Sequence, residues 1–151
     1  MMKQFLDFTD RVCLVTGAGS ENGIGFQTAR ILGDLGGTVI IVSTTDRILK
    51  RAEELRAGGA DAKGMIADLM DRQAVQHLVK DIMDEYGRID VLVNCAGINR
   101  REGLLDVTEE TYDKIMNINL RGMFFGGQYA ARKMIEKGHG GAIVNMASVN
   151  S

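Results

Sequence analysis

Val12-Cys13-Leu14-Val15-Thr16-Gly17-Ala18-Gly19-Ser20-Glu21-Asn22-Gly23-Ile24-Gly25 begins as an apolar strand, passes through a glycine cluster and leads into a helix. That is one βα unit, and the chain repeats it. The first helix extends over about residues 23–35. Thr38–Ser43 is β-branched or small throughout, which suits a strand buried on both faces. Thr45 or Asp46 is placed to cap the next helix, which reaches about Ala57 before Gly58 and Gly59 stop it. A third strand covers about residues 62–67. Asp71 then caps a helix whose Ala74, Val75, Leu78, Val79, Ile82 and Met83 recur at helical spacing up to Gly87. Residues 89–95 form a fourth strand. Thr108 starts one long helix to about Lys137, with Asn119 near its middle; glycines at 138, 140 and 141 end it, and residues 142–147 make the fifth strand.

Strands separated each time by a helix must run parallel, because a crossover of that length returns the chain to the same end of the sheet. The expected fold is an α/β doubly wound, Rossmann-like sheet of order 3-2-1-4-5 in a single dinucleotide-binding domain spanning residues 1–151. With 151 residues, 45% of them hydrophobic, the chain holds one core and not two. Its 18 basic residues against 20 acidic ones are scattered, which argues against a nucleic-acid partner. Apolar runs fall short of the ~18–20 residues that span a bilayer, and the N-terminus lacks the layout of a secretory signal, so a cytoplasmic location and no membrane association are expected. Cys13 and Cys95 sit in strand-like runs and read as buried, reduced thiols, while His77 and His139 have no partner at ligand spacing, so no metal is expected.

The glycine turn carries the first functional signal. Between a buried strand and a helix, a pyrophosphate meets unpaired N–H groups and the positive end of the helix dipole. Gly17 permits the tight turn, Gly19 or Gly23 lets backbone approach phosphate, and Gly25 lets the helix pack closely on the sheet. Ser20, Asn22 and Ile24 complete the expected phosphate-side residues.

Three later segments add to it: Asn94-Cys95-Ala96-Gly97 after the fourth strand, Asn119 in Met116-Asn117-Ile118-Asn119-Leu120, and Ser148 after the fifth strand. In this order, the four features resemble the short-chain dehydrogenase/reductase family, with its glycine turn, its Asn-Asn-Ala-Gly segment, its helix asparagine and its serine. There are departures. Six positions, where the family has four, separate Gly17 from Gly23, and Cys95 replaces the second asparagine. The Tyr-x-x-x-Lys pair that follows the serine in the family is missing, so the chain reads as an N-terminal portion ending just after the active-site serine. Tyr129 and Lys133 have the spacing but precede Ser148 on the long helix, and read as packing and solvated residues.

The resemblance implies an NAD(P)-dependent oxidoreductase that transfers hydride between nicotinamide and a small carbonyl or alcohol substrate, such as a 3-oxoacyl or similar ketone. Asn119 and Ser148 are its implied catalytic residues, Ser148 holding the substrate oxygen and Asn119 anchoring a water relay. Asp68, followed by Leu69, is implied at the adenine, and Asn94, Ala96 and Gly97 at the ribose. Ser43 and Thr44 at the end of the second strand, with Arg47 after them able to reach a phosphate, are what a 2′-phosphate would require, which favours NADP; Asp46, about 20 residues past the turn, is what NAD would ask for. The 151-residue chain is expected to be inactive by itself. The rival reading is a catalytically inactive nucleotide-binding module or one half of a split enzyme. An uncovered apolar fifth strand leads to the expectation of a homo-oligomer.

Overall fold

The computed structural model describes residues 6–148; residues 1–5 and 149–151, where the expectations about the two chain ends fall, lie outside the described set. Five strands alternate with helices: β1 (Val12–Thr16), α1 (Ile24–Asp34), β2 (Thr38–Ser43), α2 (Arg47–Ala57), β3 (Ala62–Ile66), α3 (Arg72–Tyr86), β4 (Val91–Asn94), α4 (Glu109–Met116), α5 (Met123–Lys137) and β5 (Ala142–Asn145). The sheet has the order β3-β2-β1-β4-β5 with every pair parallel, as the alternating pattern predicts.

Successive strand residues point to opposite faces, and both faces are dry. Val12 and Leu14 of β1, with Ile40 and Val42 of β2, pack against Val75, Leu78, Val79 and Ile82 of α3 and Ala130 and Met134 of α5. Their neighbours Cys13, Val15, Val39 and Ile41 pack instead on Phe26, Ala29 and Leu32 of α1 and Ile48, Ala52 and Leu55 of α2. Both cysteines are free; Cys13 is fully buried, and that burial, with Asp90 adding to it, pushes the thiol up to about 12. Cys95 is only half-buried, because it lies past the last ladder residue of β4.

Three local expectations need correction. Asp46 occupies the cap position of α2 but has helical backbone angles and no capping hydrogen bond, unlike Asp71, which accepts from the Gln73 N–H. The fourth strand starts at Val91 and ends at Asn94, and the fifth ends at Asn145, so both are shorter than their apolar runs. The long helix is not uniform: residues Asn117–Gly122 form a π-helical segment between α4 and α5. β5 is exposed along its length, and Ile143 and Val144 remain in contact with water.

Asp90, just before β4, ties the lower end of the sheet together. Its carboxylate accepts from the Val12 N–H at 2.8 Å, from Arg88 Nε at 2.8 Å and Nη2 at 2.6 Å, and from Arg11 Nη1 at 3.3 Å; His139 Nδ1 stands 3.7 Å away. Burial pushes this carboxyl up, but the Arg88, Val12 and Arg11 donors outweigh it and hold the group below its ordinary value of 3.8. A depressed carboxyl stabilises the fold above that ordinary value, and the contribution is lost as pH falls through the lower folded value. Asp90→Asn is therefore expected to destabilise the chain by about 2 kcal/mol at pH 7. In urea titrations the difference from the parent should shrink as pH falls below 4; a difference constant with pH would show that the charge is not what matters.

Candidate functional site

All five strands end at one edge of the sheet, and there the structure gathers the residues that the sequence singled out. Thr16, the last residue of β1, is buried, and its hydroxyl accepts from the Cys95 and Ala96 N–H groups at 3.2 and 3.3 Å while donating to the Val93 carbonyl at 3.5 Å. The next residue, Gly17, has φ +70°, and a Cβ there would lie 2.6 Å from Ala96 N and Cα. A Cβ on Gly25 would lie 2.7 Å from the Gly17 carbonyl oxygen. Only glycine fits either place, which fulfils the expectation for the tight turn and for close helix packing. Gly19 and Gly23 rest against side chains: a Cβ on Gly19 would be 3.1 Å from Ser43 Cβ and Oγ, and one on Gly23 3.1 Å from Ser20 Cβ. Gly23 precedes α1 without any side-chain cap, and the first turn holds no acidic residue, so the N-terminal N–H groups of α1 have no built-in anion.

A cleft of about 440 Å³ opens above this edge. Gly17, Ser43, Thr44, Asp68, Leu69, Ala96 and Gly97, all selected from the sequence, line it. Asp68 is exposed; its Oδ1 accepts from the Met70 N–H at 2.9 Å, which fixes the carboxylate against its own turn. Gly19, Ser20 and Arg47 line an adjoining hollow of about 300 Å³ together with Glu21, Lys50 and Arg51. The two spaces are neighbours because Gly19 touches Ser43, and Ser43 Oγ donates to the Thr45 carbonyl at 3.1 Å.

Other candidates stand apart. Asn94 is buried, and its Nδ2 donates to Asn145 Oδ1 at 2.9 Å, linking the ends of β4 and β5 from below the cleft. Asn119 spends both side-chain atoms on one residue: Oδ1 accepts from the Ile98 N–H and Nδ2 donates to the Ile98 carbonyl, each at 2.8 Å. Its side chain therefore clamps the loop after β4, and any water relay falls to its main chain. Ser148 is exposed at the last described position. Tyr129 is turned away into α3, where its hydroxyl accepts from Arg72 Nε at 2.6 Å and Gln76 Nε2 at 2.8 Å and its ring stacks on Phe125; Lys133 pairs with Glu136. Its reading as a packing residue holds.

The sequence reading missed Ile98, Lys114 and Ile118 in the cleft lining, and it missed Gly122. A Cβ on Gly122 would meet the Leu69 carbonyl oxygen at 2.9 Å, so this glycine lets the long helix touch the turn that carries Asp68. A glycine inside a helix costs about 1 kcal/mol relative to alanine, which was the available signal of a close approach.

Asn119→Ala would leave the N–H and carbonyl of Ile98 without their partner, a loss of about 1–3 kcal/mol local to that loop. Amide exchange should accelerate at least tenfold at Ile98 and stay unchanged in β1 and β2. Uniform acceleration would mean that the asparagine supports the whole fold instead.

The model of the family described as short chain dehydrogenase matches residues 11–151. The chain is 34% identical over its full length to a 2-dehydro-3-deoxy-D-gluconate 5-dehydrogenase of Dickeya dadantii, covering 58% of that protein. It is 40% identical over 143 residues, 92% of the chain, to a 3-oxoacyl-(acyl-carrier-protein) reductase of Thermotoga maritima, covering 56% of it. Among solved structures, a metagenomic short-chain oxidoreductase in complex with NADP superposes with a TM-score of 0.88 at 30% identity, over 94% of this chain and 64% of that one. The chain spans little more than half the length of the curated relatives it matches.

Proposed function

The chain belongs to the short-chain dehydrogenase family, and on that premise we propose that its sheet-edge cleft binds the adenosine half of a nicotinamide nucleotide, NADP in preference to NAD. The observation that carries the reading is the cradle at Gly17 and Gly25, where any Cβ would collide with backbone at 2.6–2.7 Å, beneath an uncapped helix N-terminus. Such a floor offers a phosphate peptide N–H groups and no side chains. Asp68 keeps an oxygen for the adenine amino group, and Ser43 and Thr44 stand where the ribose hydroxyls would lie. Small hydroxyl residues at the end of β2, with Arg47 beside them, suit a 2′-phosphate better than a free diol. Asp46 weighs less for NAD because it lines neither space.

With the nucleotide held by its adenosine half, its nicotinamide would supply hydride exchange with a carbonyl or alcohol carbon. This chain's own part is to hold the nucleotide and, through Ser148, to orient a small carbonyl or alcohol substrate, with the Asn119 main chain anchoring a water relay; ketone reduction of the 3-oxoacyl type is the proposed direction. A proton donor for the substrate oxygen is a separate need, and Tyr129 is occupied by Arg72 and Gln76. That occupation favours a second reading, in which these residues form a nucleotide-binding module that requires a further segment for turnover. The exposed apolar edge of β5 supports association with another chain, a second copy included.

Calorimetric titration of the chain should give tighter binding for NADPH than for NADH, by roughly tenfold if one charge-assisted contact is gained. Tighter NADH binding would transfer the assignment to Asp46. Gly25→Val should abolish detectable binding of both, and unchanged affinity would mean that the turn serves packing alone. With a panel of ketones, NADPH oxidation by the chain should not exceed background, and Tyr129→Phe should lower stability by about 1 kcal/mol without changing nucleotide affinity. Turnover that disappears in Tyr129→Phe would make this tyrosine the acid after all.

A further inference from the structure

The hollow beside the cleft gathers three cations of α2 around the glycine turn. Arg47, Lys50 and Arg51 occupy positions i, i+3 and i+4 of α2, so their side chains share one face, and that face looks at the glycine turn. Cations in the first turn of a helix oppose its dipole; the first turn of α2 holds no acidic residue, and Asp46 before it makes no capping hydrogen bond. Arg51 is the unusual member. Its side chain is only 9% exposed, its guanidinium lies 5.5 Å over the Phe26 ring, and its Nη2 is 2.7 Å from Glu54 Oε1. The buried Nη1 stands 3.1 Å from Glu21 Oε2 yet makes no hydrogen bond, so the contact is ionic and misaligned. A buried guanidinium with an N–H left unmatched is destabilising unless an anion completes it.

Glu21 is poorly fixed for that task. It lies in the glycine turn between Gly17 and Gly23, and its main-chain carbonyl is anchored by Gln27 Nε2 at 2.9 Å. The carboxylate itself is 69% exposed, so it can leave Arg51 without disturbing the core. We propose that Glu21 is a specificity-determining residue: a carboxylate standing at Arg51 in place of the phosphate of a 2′-phosphorylated nucleotide, which displaces it on binding. The inference rests on the cleft being a nucleotide site, but not on which cofactor binds more tightly. A phosphate entering beside Ser20, Arg47 and Lys50 gains their charge and completes Nη1, but it must first expel a like charge. Glu21 thus compresses the difference between nucleotides with and without the 2′-phosphate, and the glycine turn takes part in cofactor choice.

Calorimetry of the chain with 2′,5′-ADP and with 5′-AMP isolates this contact, with the melting temperature of each variant as a check on folding. Glu21→Gln should tighten 2′,5′-ADP by roughly tenfold, the scale of one charge contact, and leave 5′-AMP within about twofold. Lys50→Gln, at an exposed position, should weaken 2′,5′-ADP alone. Unchanged or weaker 2′,5′-ADP binding in Glu21→Gln, with 5′-AMP still bound, would overturn the role of Glu21 and leave the nucleotide site standing. Failure of the parent chain to bind 5′-AMP would overturn both.

Discussion

At the upper end of β1 three stretches of backbone approach as closely as backbone can. Gly17 lies against Ala96, Gly25 lies against the Gly17 carbonyl, and the Thr16 hydroxyl beneath them gathers the two amides that follow β4. Each contact excludes a Cβ, so the floor of the cleft is made of peptide groups and not of side chains. Two consequences follow from this one constraint. The N-terminus of α1 is brought directly over the sheet edge, where its dipole acts on whatever lies there. The loop after β4 is also held at a fixed height, which lets Asn119 reach Ile98. The ends of β2 and β3 then need only arrive at the same edge, and a parallel sheet guarantees that they do.

How far the sequence could be read depends on what kind of force sets each feature. The two dry faces follow from the uniformly apolar runs of β1 and β2, because residues such as Val12 and Cys13 leave no polar face in any register, and the parallel pairing from the helix between successive strands. Boundaries were less legible. Ile89 is as buried as any strand residue, yet the ladder starts at Val91, and the Asp90 carboxylate takes the Val12 N–H. Asp46 has the side chain of a cap and the backbone of a helix, a difference that one dihedral decides.

For the site, positions at strand ends were legible because topology alone brings them together: Gly17, Ser43, Asp68 and Ala96 needed only the order of the strands. Lys114 and Ile118 were not, since their place depends on how α4 and the π-helical segment after it rotate about their axis. The pairing of Glu21 with Arg51 was hidden for the same reason. No local pattern links a turn to the second turn of a helix 30 residues later; only the packing of α2 on Phe26 does.

The π-helical segment explains why the longest helix can serve both the site and the core. An α-helix advances about 100° per residue, so one face stays on one side along its whole length. A segment with i to i+5 bonding takes in an extra residue and turns everything after it by about that angle. α4 buries none of its residues, whereas α5, continuing the same rod, buries Tyr129, Ala130 and Met134 against α3 and the sheet. At the change of phase stand Asn119, clamping Ile98, and Gly122, touching Leu69. Without that turn the rod could not hold both loops of the cleft at its middle while presenting a polar face before them and an apolar one after. The irregularity is therefore the place where the core of this fold is geared to its candidate site.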